Sequence, residues 1–307
     1  MSCFILAFSS SKLVDTLSRI AKFLGWKEFV VAFFLMAFAV SIPNFFIGII
    51  SALNEVPELS FADVIGGNII DLSLVIGLAA LISRGGLSAP SRTVQGSCFF
   101  TIIMAVLPLL LISDGVLSRG DGILLFLVYL FYVLWLFNKR ERFTKDYNEV
   151  QEKITLKSFF KSLGLFLFAF VLLIIAAEGM VKSAVFFAEY FKISLSLIGV
   201  LIVGLGSSMP ETFFSLHAAR KGHDWLIFGD LMGGIVITST LVLGTVALIH
   251  PIRITYPPTI IIGRVFLIVA ALSFFVFTRT EHKVTKAEAL YLLGIYIIFV
   301  LVEIWAA

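Results

Sequence analysis

The sequence predicts an all-α polytopic membrane protein of about ten transmembrane helices, arranged as two inverted five-helix repeats. Three observations predict this fold class. Hydrophobic residues make up 60% of the 307 residues and charged residues only 14%, whereas a soluble domain carries about 25% charged residues. The mean hydropathy is +1.06. Apolar segments of membrane-spanning length recur along the chain, and the second half repeats the motifs of the first.

The apolar segments define the individual spans. A helix needs about 20 apolar residues to cross the hydrocarbon core, and it satisfies its own backbone hydrogen bonds in lipid. On this basis we predict spans near 1–23, 28–53, 59–83, 94–112, 121–137, 158–190, 193–219, 225–249, 258–278 and 287–305. The first span is the weakest, because Lys12 and Asp15 interrupt it. The polar segment 138–157 is predicted to link a first repeat at 1–137 to a second at 158–307.

The basic residues predict the orientation, because Lys and Arg are enriched in cytoplasmic connections. Connections after even-numbered spans carry only Arg119, Lys192 and Arg253. Connections after odd-numbered spans carry fifteen basic residues: Lys22, Lys27, Arg84, Arg92, Lys139, Arg140, Arg142, Lys145, Lys153, Lys157, Arg220, Lys221, Arg279, Lys283 and Lys286. The linker 138–157 is therefore predicted to be cytoplasmic and both termini to lie outside. We expect an integral protein of the plasma or inner membrane.

An internal duplication organises the chain. Residues 36–77 align without a gap with residues 203–244, at an offset of 167. Apolar matches are common between membrane helices, so the informative identities are Pro43/Pro210, Asp63/Asp230, Gly66/Gly233 and Gly67/Gly234. Each copy falls in a unit of five spans, and an odd number of spans inverts the second copy. Inverted repeats with a site at their interface are the architecture of many secondary transporters.

Both copies place a polar stretch with proline inside an apolar helix: VSIPN at 40–44 and SSMPE at 207–211. Proline removes one helix hydrogen bond, and the freed carbonyls and nearby hydroxyls can coordinate a cation. A proline kink packed against small neighbours would also explain the pattern. It leaves Glu211 unexplained, because a carboxylate inside a membrane is costly and usually marks function.

The following helix repeats a second polar face. Asp63, Gly67 and Asp71 share one face, and Asp230, Gly234 and Thr238 share the equivalent face. The paired glycines allow close helix approach. We expect Asp71 and Glu211 to bind an ion; the alternative is a protonated carboxyl group hydrogen-bonded inside the bundle. Asp63 and Asp230 are predicted to draw cations into opposite vestibules, or else to complement the helix dipole in the first turn.

These motifs resemble a known family. SIPN…GGNIID and SSMPE…GGIVIT are similar to the two alpha-repeats of the calcium/cation antiporter superfamily, which includes sodium/calcium exchangers and has the pattern TSLPE followed by GNxxGSNxxN. The resemblance implies cation ligands at Asn44, Asp71, Glu211 and Thr238, with hydroxyl groups from Ser41, Ser207 and Ser208. The sequence departs from the pattern where Asn44 and Thr238 replace acid or amide ligands, Gly67 and Gly234 replace serines, and Asp63 and Asp230 replace asparagines.

The resemblance implies a secondary antiporter that works by alternating access, without a cofactor. Two carboxylates, Asp71 and Glu211, with neutral oxygen ligands would suit a hard divalent cation such as calcium, or two protons or two monovalent ions in exchange. The transported ions would be calcium, or a similar divalent cation, and sodium or protons. The alternative is a channel-like or sensory membrane protein that reuses the fold without coupled exchange.

Other function classes find no support in the sequence. It contains no HExxH, GxSxG or Walker A motif, so neither an intramembrane enzyme nor an ATP-driven pump is indicated. A net charge of only +3 argues against a nucleic-acid partner. The expected partners are the lipid bilayer and inorganic cations, and no feature points to a protein partner.

Overall fold

The computed structural model describes residues 28–89, 92–138, 156–254 and 257–306. The predicted span 1–23 and nearly all of the linker 138–157 lie outside these residues. The helices in the described ranges are α1 (Glu28–Leu53), α2 (Pro57–Ile82), α3 (Arg92–Leu111), α4 (Arg119–Asn138), α5 (Leu156–Phe191), α6 (Leu195–Ser207 and Met209–Lys221), α7 (Asp224–Val236, continuing through Ile237–Val242 and Leu243–Ile249), α8 (Pro257–Arg279) and α9 (Lys286–Ala306). Their ends differ from the predicted spans by no more than two residues.

The helices have the length and surface of membrane spans. Within the described ranges, α2, α3, α7, α8 and α9 are long and apolar enough to cross a bilayer, and α6 is a sixth if its two halves count as one span. Large apolar side chains also face outward. On α4, for example, Leu127, Phe131 and Leu134 are 58%, 60% and 61% exposed at helical spacing. Such a stripe is stable where lipid is the solvent, and we conclude that this is an all-α integral membrane protein.

The secondary structure repeats at the same offset as the sequence. Helix α2 consists of Pro57–Ile69, a π-helical turn at Ile70–Val75, and Ile76–Ile82. The three segments of α7 begin and end 167 residues after those of α2. Single π-helical turns inside α-helices are rare and frequent at functional sites. Here they hold Asp71 and Thr238, so the backbone is locally rearranged at two of the predicted ligands.

Two short antiparallel pairs join loops across the chain. Strand β1 (Leu87–Ser88) pairs with β4 (Lys283–Val284), and β2 (Val116–Leu117) pairs with β3 (Ile252–Arg253). Each pair connects the end of a helix in the first half to the end of a helix in the second half. The two halves are therefore tied together outside the helical core.

Glycines set the closest helix crossings. A Cβ atom on Gly66 of α2 would lie 2.1 Å from the carbonyl oxygen of Val200 on α6, so no larger residue fits. On α7, a Cβ atom on Gly233 would lie 2.6 Å from the Cβ atom of Ala37 on α1. Helix α2 thus packs against α6, and helix α7 packs against α1. Both contacts bring a helix of one half against a helix of the other.

The two proline motifs differ in their effect on the backbone. Helix α6 breaks at Ser208, where φ is −82° and ψ is 2°, and its halves meet at 42°. Helix α1 instead continues through Pro43 from Glu28 to Leu53, although the sequence predicted a similar break in both helices. The turn before the α6 break contains Gly204 and Gly206, where α1 has alanine. Glycine costs a helix about 1 kcal/mol relative to alanine, so the proline breaks only the weaker helix.

Candidate cation site

The predicted site residues come from four helices that meet inside the bundle. They lie on α1, on the π-helical turns of α2 and α7, on the first halves of these two helices, and on both sides of the α6 break. All are at most 6% exposed: Ser41, Asn44, Asp63, Asp71, Ser207, Ser208, Glu211, Asp230 and Thr238. Residues from both repeats are therefore removed from the surface, at the place where the helices cross.

Asp71 and Glu211 form the acidic centre of this cluster. Their carboxylates are close enough for the two charges to act on one another, and the second half of α6 packs against the π-helical turn that holds Asp71. The hydroxyl of Ser208 lies near the Asp71 carboxylate. Oδ1 of Asp71 and Oε2 of Glu211 are buried and have no hydrogen-bond partner. These two oxygens are free to accept a cation.

The break in α6 explains how the buried carboxylate of Glu211 is stabilised. It lies in the first turn of the second half of α6, directly after the break at Ser208. A helix N-terminus carries a partial positive charge that stabilises a nearby anion. The break therefore creates, in the middle of the chain's apolar core, a position that suits a carboxylate.

Asn44 and Ser208 approach the site from opposite repeats, and Gly67 leaves the space between them. A Cβ atom on Gly67 would lie 3.3 Å from Oγ of Ser208 and 4.0 Å from Nδ2 of Asn44. Oδ1 of Asn44 is buried without a hydrogen-bond partner. The absence of a side chain at position 67 therefore keeps a polar space open, into which the Asn44 amide contributes an unused acceptor.

Ser41 lies on α1 at the position that is equivalent to Ser208 in the second repeat. Its hydroxyl donates to the carbonyl of Ala37 at 2.8 Å, and its Oγ lies 3.8 Å from the position of a Cβ atom on Gly234. Ser41 thus faces Gly234 as Ser208 faces Gly67. The proton of Ser41 is used within its own helix, and its oxygen lies beside the glycine of α7.

A hydrogen-bond bridge that the sequence did not predict joins Asn68, just before the π-helical turn of α2, to the π-helical turn of α7. Nδ2 of Asn68 donates to Oγ of Ser239 at 2.8 Å, and the hydroxyl of Thr238 donates to Oδ1 of Asn68 at 3.1 Å. Asn68 is 2% exposed. Comparison of the repeats did not single it out, because its counterpart 167 residues later is Ile235. Its place inside the GGNIID motif was the one available signal.

Asp63 and Asp230 are buried rather than exposed to a vestibule. Ser207 donates to Oδ1 of Asp63 at 2.7 Å, whereas neither oxygen of Asp230 has a partner. Asp63 is 0% and Asp230 3% exposed. Their role in the vestibules stays a prediction, and this structure places both carboxylates inside the helical core.

Neutral oxygens would have to complete any cation site. Across the described ranges, no group of three or more His, Cys, Asp and Glu side chains is arranged to hold a metal ion. The neutral oxygens predicted to do so are the amide of Asn44 and the hydroxyls of Ser208 and Thr238, which lie on the helices that cross here. Such a mixed oxygen set is typical of hard cations.

Comparison with known proteins identifies the family. A family model described as "Sodium/calcium exchanger protein" matches residues 1–138 and 161–305. The chain belongs to the sodium/calcium exchanger family. The match covers nearly the whole chain and includes both repeats of the proline and glycine motifs, which confirms the resemblance inferred from them.

Individual relatives agree with this assignment. The sodium/calcium exchanger MaX1 of Methanosarcina acetivorans is 25% identical over 95% of this chain and 93% of its own length. The inner membrane protein YrbG of Escherichia coli is 27% identical over 80% of this chain and 77% of its own. A solved structure of the sodium-calcium exchanger NCX_Mj, soaked with Na⁺ and Sr²⁺, covers 97% of this chain and 94% of its own at 23% identity, with a TM-score of 0.68.

Membership of the exchanger family settles the general class of function. The chain is a membrane-embedded cation antiporter, and its exchanger relatives are transporters rather than enzymes. The structural similarity to NCX_Mj shows the shared helical fold. About ten spans, as the sequence predicts, is consistent with that family. The identity of the transported cation has to be inferred from the side chains of this chain.

Proposed function

We propose that this exchanger carries calcium, or a similar divalent cation, in exchange for sodium ions or protons by alternating access. One observation carries the proposal: Asp71 of the first repeat and Glu211 of the second interact inside the core, and each has a carboxylate oxygen without a partner. Each repeat thus contributes one negative charge to a common centre. Movement of one repeat relative to the other would then change the access to both charges together.

The charge and the ligand types favour a divalent ion. Two ionised carboxylates carry a charge that one calcium ion balances. Calcium binds six to eight oxygen ligands, including carboxylates, amide and backbone carbonyls. Asn44 supplies a free amide oxygen, and Ser208 and Thr238 supply hydroxyls from the second repeat. Each of these groups also suits sodium ions or protons when the divalent cation has left, as antiport requires.

The burial of the site supports alternating access over an open pore. Its residues are at most 6% exposed, and glycine-mediated crossings close the space around it. A cation can therefore enter only if helices move. We further propose the repeat division at 1–137 and 158–307, a cytoplasmic linker at 138–157, both termini outside, and location in the plasma or inner membrane. The relative YrbG is named as an inner membrane protein.

Reconstitution tests the proposal directly. The purified full chain in liposomes should accumulate calcium when a sodium or proton gradient is imposed, and should not do so when both gradients are collapsed. Calcium entry that continues without either gradient would favour the channel-like alternative. If neither gradient drives calcium uptake while another cation is exchanged, the divalent assignment is wrong although the antiporter class stands.

A further inference from the structure

Asp230 is, with Glu303 on α9, one of two buried carboxylates in the described part of the chain whose oxygens both lack a hydrogen-bond partner. It is 3% exposed, and neither Oδ1 nor Oδ2 has a hydrogen-bond partner. It lies on the first half of α7, one helical turn before Gly234. Burying a charged group without a partner is unfavourable, and native structures avoid it unless a bound ion or proton compensates. The surroundings of Asp230 therefore require an explanation.

The repeat-related carboxylate shows what Asp230 lacks. Asp63 accepts a hydrogen bond from the hydroxyl of Ser207 at 2.7 Å. The residue 167 positions before Ser207 is Val40, which has no hydroxyl group. The two equivalent aspartates thus differ in their surroundings, and the difference corresponds to the change from Ser207 to Val40 in the sequence. In the first repeat the protein itself satisfies one carboxylate oxygen; in the second it leaves both oxygens free.

No protein cation compensates for this charge in the described part of the chain. The ion pair found there, between Lys182 and Glu178, lies on the exposed surface of α5. Asp71 on α2 and Glu211 on α6 are close enough to interact electrostatically with Asp230, and both are acidic. Like charges in a region of low dielectric repel one another strongly. An ionised Asp230 therefore needs a positive charge from outside the protein.

We propose that Asp230 binds one singly charged cation, at a position distinct from the central pair of Asp71 and Glu211. The charge follows from the ligands: a single carboxylate balances one positive charge, whereas the central pair balances two. The cation is a proton or a sodium ion, which share this charge. If the proposed divalent exchange is correct, occupation of Asp230 gives the second repeat a counter-ion position that the central site does not use.

Infrared spectroscopy of the purified full chain tests the proposal without transport. Spectra of wild type and Asp230→Asn at one pH are compared in choline chloride and in sodium chloride. A bound proton gives a protonated-carboxyl band in both salts that Asp230→Asn lacks. A bound sodium ion gives a carboxylate band whose frequency differs between sodium chloride and choline chloride, and Asp230→Asn lacks that difference. A carboxylate band of Asp230 that sodium leaves unchanged would overturn the proposal.

Two further measurements separate this result from folding and from the proposed function. The alpha-repeat pattern has asparagine at this position, so Asp230→Asn is expected to fold; elution as a single species in gel filtration checks this. Asp230→Glu keeps the carboxyl group and should keep the signal. Calcium uptake is recorded in parallel. If the wild-type protein carries no calcium, the proposed divalent exchange is wrong. The infrared comparison still decides whether Asp230 binds a cation.

Discussion

Thr238 donates a hydrogen bond to Asn68 across the interface of the two repeats, at 3.1 Å between Oγ1 and Oδ1. The same hydroxyl also lies 3.2 Å from the carbonyl oxygen of Ile235. Because the proton of Thr238 is used within the protein, the lone pairs of its oxygen are available to a cation. Nδ2 of Asn68 is in turn held by Ser239 at 2.8 Å. Asn68 therefore orients a proposed ligand of the second repeat from a position in the first, and it acts as a positioning residue.

Replacement of Asn68 should weaken both the fold and the calcium affinity. Asn68→Ala leaves the hydroxyl of Ser239 without its donor, and it leaves Thr238 only the carbonyl oxygen of its own helix at Ile235. A buried group left unsatisfied costs about 1–3 kcal/mol. We expect a lower thermal unfolding temperature in detergent and a higher KM for calcium uptake. Asn54→Ala is the matched control, because exposed Asn54 bonds only to a carbonyl of its own helix. An unchanged KM in Asn68→Ala would contradict the positioning role.

Neutralising either central carboxylate should abolish divalent transport. Glu211→Gln or Asp71→Asn removes one of the two negative charges that would balance a desolvated calcium ion, while the side-chain shape is preserved. Calcium uptake by vesicles containing each variant measures the effect. Glu178→Gln makes the same chemical change at an exposed ion pair with Lys182 and should transport as wild type does. Undiminished uptake by folded Glu211→Gln would rule out the proposed site.

The two glycines of the first repeat should respond differently to alanine. A Cβ atom at position 66 would overlap the Val200 carbonyl at 2.1 Å, and backbone cannot yield cheaply. Gly66→Ala should therefore reduce the yield of folded protein. At position 67 the nearest atoms are side chains, Oγ of Ser208 at 3.3 Å and Nδ2 of Asn44 at 4.0 Å. Gly67→Ala should fold and bind calcium more weakly.

Gel filtration and calcium binding measure the two effects separately. The control is Gly164→Ala on α5, where a Cβ atom would meet no atom within 4 Å. Alanine is favoured over glycine in a helix by about 1 kcal/mol, so this variant should be at least as stable as wild type. Equal calcium affinity for wild type and Gly67→Ala would show that the space beside Gly67 is not part of the cation site.

The strand pairs allow a test of the inverted topology. The distribution of basic residues predicts that β4 lies on the cytoplasmic side and β3 on the outer side. In a background without the native cysteines, Arg253→Cys should react with a membrane-impermeant maleimide in intact cells. Lys283→Cys should react only after the cells are opened. Labelling of both positions from the same side would contradict the predicted orientation.

The sequence by itself determined the membrane class, the spans and the family. These depend on local hydropathy and on residues whose chemistry is conspicuous in an apolar chain, such as Pro43, Pro210 and Glu211. Hydropathy is summed along the chain, so the ends of the spans in the described ranges could be predicted to within two residues. The repeat offset of 167 likewise needs no spatial information, and in the structure the segments of α2 and α7 follow it.

The tertiary structure alone decided which polar groups have partners. Asn68 was not singled out because its role depends on Thr238 and Ser239, which are about 170 residues away along the chain. The unequal environments of Asp63 and Asp230 likewise depend on what the crossing helix offers: a hydroxyl from Ser207 in one case and no donor in the other. Sequence pattern records residue types along one helix, whereas hydrogen bonding and charge compensation depend on contacts between helices distant in the chain.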